Sequence, residues 1–116
     1  MSFAVLITCS GAIAEIDLPE TSEARATVYR SVLRCDAYDV VALTSRLDMW
    51  LDDERLYRHP VNPLATLFAM RHGFVHQPYH GPVLLTGGAN EDGDTLPLTG
   101  EQVVAHLRAL EEQVAY

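Results

Sequence analysis

Four of the five histidines in this chain fall between Arg58 and His80, and three of them, His72, His76 and His80, recur at four-residue spacing. On an unbroken helix that spacing stacks imidazoles on one face, the arrangement that holds zinc and activates water for hydrolysis. Gly73 and Pro78 break the helix, and no His-Glu-x-x-His pattern is present. A metal-dependent hydrolase built on this loop is therefore an alternative that needs tertiary packing to gather the rings. The simpler expectation is a polar loop. Asp48, Asp52, Asp53 and Glu54 supply paired carboxylates of the kind used in acid–base or magnesium chemistry. Asp53-Glu54, however, is ordinary turn material. Asn90-Glu91-Asp92-Gly93-Asp94 resembles part of a calcium loop but lacks its glycine at the sixth position and glutamate at the twelfth, and is expected to be a turn.

Nucleophilic and phosphate chemistry find less support. No serine sits in a Gly-x-Ser-x-Gly elbow, and Cys9 and Cys35 each lie in an apolar segment, where a reduced, buried thiol is expected. Gly81 to Gly88 brackets a strand and lacks the Lys-Ser/Thr ending of a phosphate loop. No catalytic residue and no cofactor is assigned.

The residues best suited to recognition cluster in the middle of the chain. Trp50, the one tryptophan, alternates with Leu47, Met49 and Leu51. If those three face the core, Trp50 is displayed beside Asp48 and Asp52, near Tyr57 and Arg58. If the sheet is covered on both faces, Trp50 is core. Amphipathic aromatics and arginine are the residues that anchor interfaces. Trp50, Tyr57, Arg58 and His59, with His76, Gln77 and Tyr79 of the following loop, form the candidate binding surface.

These residues need a scaffold. Phe3 to Cys9 and Ala12 to Leu18 are apolar runs separated by Ser10-Gly11, a hairpin signal. Thr21-Ser22 offers a helix cap before Ala24, Val28, Tyr29, Val32 and Leu33, which recur with helical period. Tyr38 to Leu43 reads as a strand. Leu47 to Asp52 alternates and returns through Leu56 and Tyr57 after a turn at Asp53-Glu54, giving a second hairpin. Asn62 caps a helix that begins at Pro63, buries Leu64, Leu67 and Phe68, and ends before Gly73. Val83 to Thr86 is an apolar, central strand, and Thr95 to Leu98 a last short one. Thr99 and Gln102 form a capping box for a final helix burying Val103, Leu107 and Leu110, with Val104 and Val114. The expected order is ββαβββαββα over residues 1–116. This is one α+β domain with a small antiparallel or mixed sheet, two hairpins and three covering helices.

The net charge is −8, and all eight basic residues are arginine, seven of them between Arg25 and Arg71. A broad phosphate-neutralising surface for nucleic acid is not expected. An acidic DNA mimic that inhibits a DNA-binding enzyme is a further alternative. The first residues carry no basic n-region, and their apolar run is too short for a signal segment or a membrane span, so a cytoplasmic protein is expected. Strands such as Ala12 to Leu18 leave an edge on which a homodimer could form.

Asn62-Pro63-Leu64-Ala65, an Asn-x-x-Ala helix start, and Gly81-Pro82-Val83, a late Gly-x-Val strand, stand in an order that resembles a family of small actinobacterial and phage proteins catalogued as a domain of unknown function. The resemblance implies an opening hairpin, a middle hairpin leading to the capped helix, and no defined chemistry. It also implies a phage or mobile-element accessory protein that binds a host protein or small molecule.

Overall fold

The structure, a computed structural model, describes residues 2–114; the expected burial of Val114 concerns a side chain outside that description. The elements are β1 (Phe3–Ile7), β2 (Ile13–Asp17), α1 (Ser22–Leu33), β3 (Tyr38–Thr44), β4 (Leu47–Asp52), α2 (Arg55–Arg58), α3 (Pro63–Met70), β5 (Val83–Thr86) and α4 (Gly100–Val114). The five strands form one sheet in the order β2-β1-β5-β4-β3, with every neighbouring pair antiparallel. The fold is α+β.

The central strand is β5, the continuous apolar run, and all four of its residues are buried. A strand loses both faces to the core only if layers cover both sides of the sheet, and here they do. Val5, Met49, Val83 and Leu85 point toward α3 and α4, where they meet Phe68, Val103 and Leu110. Ala4, Leu84 and, at the margin, Trp50 point toward Tyr29 and Leu33 of α1. Burying each large aliphatic side chain of these clusters contributes about 1.5–3 kcal/mol.

Local signals place the helices. The Thr21 hydroxyl accepts from Ala24 N at the start of α1. Asn62 does the same for Ala65 N ahead of Pro63 in α3. Thr99 and Gln102 exchange hydrogen bonds of 2.8 and 3.1 Å at the start of α4, completing the expected capping box.

Several expectations are corrected; among them, Leu67 and Val104, expected to be buried, are 45% and 50% exposed. The second hairpin pairs β3 with β4 across the tight connection at Ser45-Arg46, and Leu56 and Tyr57 lie in the short helix α2 instead of a returning strand. The cause is Asp52, whose carboxylate accepts from Glu54 N at 2.9 Å and curls the chain away from the sheet. Thr95 to Leu98 makes only isolated bridges, to Ala89 and Phe3. Pro97 has no N–H with which to extend a ladder. The observed order is ββαββααβα.

Candidate functional site

The site is built around one buried carboxylate. Asp52, the last residue of β4, has a side chain only 1% exposed. Its Oδ1 accepts from Glu54 N, and its Oδ2 accepts from His59 Nε2 at 2.9 Å, with Arg58 Nε 3.5 Å away. Arg55 Nη1 donates to the Asp52 carbonyl at 3.3 Å. Residues 54 to 59 thus fold around a single anion, and a buried carboxylate without these donors would be strongly destabilising. Because a carboxylate must be met by a donor, His59 carries its proton on Nε2.

Four further contacts tie α2 and the residue that follows it to their surroundings. Arg58 donates to the Arg34 carbonyl at the end of α1 and lies 3.7 Å from Asp36. Arg55 stands 3.8 Å from Asp39 on β3. The His59 carbonyl accepts from His80 Nδ1 at 2.9 Å. Gly81, at φ +84°, lies against the His59 ring, and a Cβ there would approach the ring carbons to 2.9 Å, so glycine is required on both counts. On its outer side α2 presents Leu56, 66% exposed, and Tyr57, 92% exposed.

The seven residues expected to bind are not one patch. Tyr57 is fully displayed, Arg58 is shared between solvent and Asp52, and His59 is mostly enclosed. His76 and Gln77 are exposed in the loop that leads back to His80. Tyr79 is 2% exposed and belongs to the core, since its backbone pairs with Asn62 and with the Thr66 hydroxyl. Trp50 lies on the α1 side of the sheet. The sheet is covered on both faces, so Trp50 stacks on Tyr29 at 4.8 Å, meets Tyr38 edge-on, and donates from Nε1 to Thr86 Oγ1 at 2.9 Å.

The histidine loop does not gather its rings. His72 bonds the Phe68 carbonyl, His80 bonds His59, and His76 faces solvent. Among the described residues no three His, Cys, Asp or Glu side chains converge to hold a metal ion. Asn90 Oδ1 accepts from the N–H groups of Asp92 and Asp94, the turn expected there. Both cysteines are free, and burial pushes the Cys35 thiol up from its ordinary pKa.

Clefts open beside this site and away from it. One of about 580 Å³ runs between Arg46, Gly88 and the start of α4. Gly87 and Gly88 there admit neighbouring backbone, because a Cβ on Gly88 would run into the Ser45 carbonyl. A second, of about 460 Å³, is lined by Cys9, Arg34, His59 and Pro60. A third, smaller one opens beside Tyr29 and Trp50. None was legible in the sequence, because each joins residues from three or more separate segments.

An antiparallel five-stranded sheet with α1 on one face, α3 and α4 on the other, and an anchored aromatic tip at α2 defines an α+β protein. The chain belongs to the family described as Domain of unknown function (DUF3846), which it matches over residues 1–113. No curated protein and no solved structure matches it. No helix among the described residues is long and apolar enough to cross a membrane.

Proposed function

We propose that the protein works by binding another protein through the α2 tip, as an accessory protein of a phage or mobile element directed at a host protein. The observation that carries this reading is the pairing of Leu56 and Tyr57, 66% and 92% exposed, with a turn immobilised by the buried Asp52 carboxylate. A large side chain held in solvent gains nothing for folding, whereas an aromatic whose backbone is already ordered loses little entropy on binding. Arg58, at the end of α2, supplies a polar rim. His59, bonded to Asp52, helps to hold the turn from beneath; Trp50 and Tyr79 are packed elsewhere and are not contacts.

The test places a photo-crosslinking amino acid at Tyr57 and, as a control, at the exposed Ser31 of α1 in cells expressing the protein. A discrete adduct from position 57, absent from position 31 and abolished by Leu56→Ala, is the expected result. Identical patterns at both positions, or no adduct at 57, overturn the reading. The Leu56→Ala/Tyr57→Ala double variant should unfold within about 0.5 kcal/mol of the parent, so loss of the adduct reports binding and not folding.

A further inference from the structure

The pairing of Asp52 with His59 leaves one imidazole nitrogen over. His59 Nε2 carries the proton that meets the buried carboxylate, so Nδ1 holds a lone pair, and it has no hydrogen-bond partner among the described residues. Nor is it sealed: the buried, unpaired side-chain nitrogen and oxygen atoms among the described residues are Tyr29 Oη and Gln113 Oε1. Gly81 packs against Cγ and Cδ2 and holds the ring from that side. An imidazole oriented by a buried carboxylate, with its other nitrogen free to act as a base, lacks only a nucleophile to complete the arrangement used in acyl transfer.

A nucleophile lines the same cleft. His59 borders the opening of about 460 Å³ together with Cys9 of the β1–β2 turn and Arg34 at the end of α1, while Leu6, Val32 and Pro82 give it an apolar side. Cys9 is a free, half-buried thiol, and its Sγ donates at 3.7 Å to the carbonyl of Pro60, the residue that follows His59. Cys35, by contrast, is shut in at 7% exposure. Arg34 adds a charge. Its guanidinium makes no hydrogen bond or ion pair among the described residues, although its carbonyl accepts from Arg58. It is also the one residue other than glycine at positive φ, +53°, among the described residues. Helices commonly end in that conformation with glycine, which adopts it freely where other residues do so at a cost. An arginine in a glycine's place points to a use for its side chain at the cleft.

We infer that Cys9 is an acyl-acceptor site for a small thioester bearing a carboxylate, with His59 as the base and Arg34 as the receiver of the carboxylate. His59 Nδ1 takes the thiol proton, and the Cys9 sulfur bonds to the thioester carbonyl carbon. The bond from that carbon to the leaving sulfur breaks with its electron pair, and the departing thiolate takes the proton back from His59. The products are an S-acylated Cys9 and a free thiol, with no other reactant consumed. A thioester suits the site because the exchange is thiol for thiol, so leaving group and nucleophile are matched. The reading does not depend on a partner at the α2 tip, since Leu56 and Tyr57 play no part in it.

The full chain is incubated at neutral pH with two thioesters of N-acetylcysteamine, one of adipic acid and one of hexanoic acid, which have the same chain length and differ in the terminal carboxylate. Acylation is followed by intact mass and located by peptide mapping. Adipoyl transfer to Cys9 is expected about tenfold faster than to N-acetylcysteine at the same concentration, and about threefold faster than hexanoyl transfer, with Cys35 unmodified. His59→Gln keeps an N–H for Asp52 and removes the Nδ1 lone pair, so its thermal midpoint should stay near the parent's while the rate falls about tenfold. Arg34→Gly relieves the left-handed backbone; it should leave the midpoint unchanged or raised and bring the two transfer rates together. Transfer no faster than to N-acetylcysteine overturns the proposal. So do equal rates from the two donors in the parent, or a His59→Gln protein that reacts as the parent does.

Discussion

Asn62 shows how one side chain can do two jobs of which the sequence displays only one. Its carbonyl oxygen accepts from Ala65 N, the helix cap that the Asn-Pro spacing predicts. Its amide nitrogen donates to the carbonyls of Ile7 and Gly81, at 3.1 and 2.9 Å, and so joins β1, α3 and the entrance to β5 at a point fully shielded from water. Those two acceptors lie 55 and 19 residues away, beyond the reach of any local pattern. Asn62→Ala removes the cap and leaves two buried carbonyls unpaired, and should cost about 3 kcal/mol in urea unfolding. Asn62→Asp separates the roles. It keeps an acceptor for the cap but turns a carboxylate toward two carbonyl oxygens, so it should be no more stable than Asn62→Ala. Recovery of half the loss or more would mean that the cap, not the three-way junction, is what the asparagine contributes.

At the scale of elements, the helices were legible because their signals are short-range: the caps Thr21, Asn62 and Thr99 lie within three residues of the N–H groups they satisfy. The α2 turn was not, because Leu56 and Tyr57 have strand-forming character and the group that bends them, Asp52, reads as a surface carboxylate until its 1% exposure is known. Trp50 was ambiguous for a related reason, since alternation along β4 gives the two faces but not which of them a helix covers. The packing of α3 on α4 carries a pH dependence. The Phe68 ring lies between His72 and His106, at 4.9 and 5.7 Å. Burial, and then the neighbouring His72, hold His106 below its ordinary pKa of 6.5. The folded state thus takes up a proton less readily than the unfolded chain. Stability from this group is full above pH 6.5 and is lost as the pH falls through it, by at most about 1.4 kcal/mol per pH unit. Urea midpoints at pH 7.5, 6.5 and 5.5 should decline in that order, and His106→Leu should flatten the decline. A midpoint that is level, or that rises on acidification, would show that the imidazole is not desolvated by the α3–α4 contact.

Over the whole molecule, an open five-stranded sheet leaves two edges, and the charge of a protein of net −8 bears on what those edges can do. On β2 the exposed residues include Glu15 and Asp17, and an antiparallel two-fold pairing centred on the strand sets Glu15 against its own copy. On β3 the Asp39 carboxylate turns back to accept from Val40 N at 2.8 Å, so an edge N–H that another strand would use is already occupied. Both devices act against the sheet-extended dimer that exposed strands otherwise invite, since like charges directly opposite in a ladder are destabilising. The protein is therefore expected to run as a monomer in light-scattering chromatography at neutral pH. Replacing the charges on one edge, as Glu15→Thr/Asp17→Thr, should produce association that grows with protein concentration, because it restores an uncharged β-branched edge without touching the core. If the parent is already a stable dimer in low salt, or if the double variant stays monomeric at every concentration, edge charge is not what sets the assembly state. The two edges can then be told apart by Asp39→Asn, which weakens the block on Val40 while leaving β2 as it is.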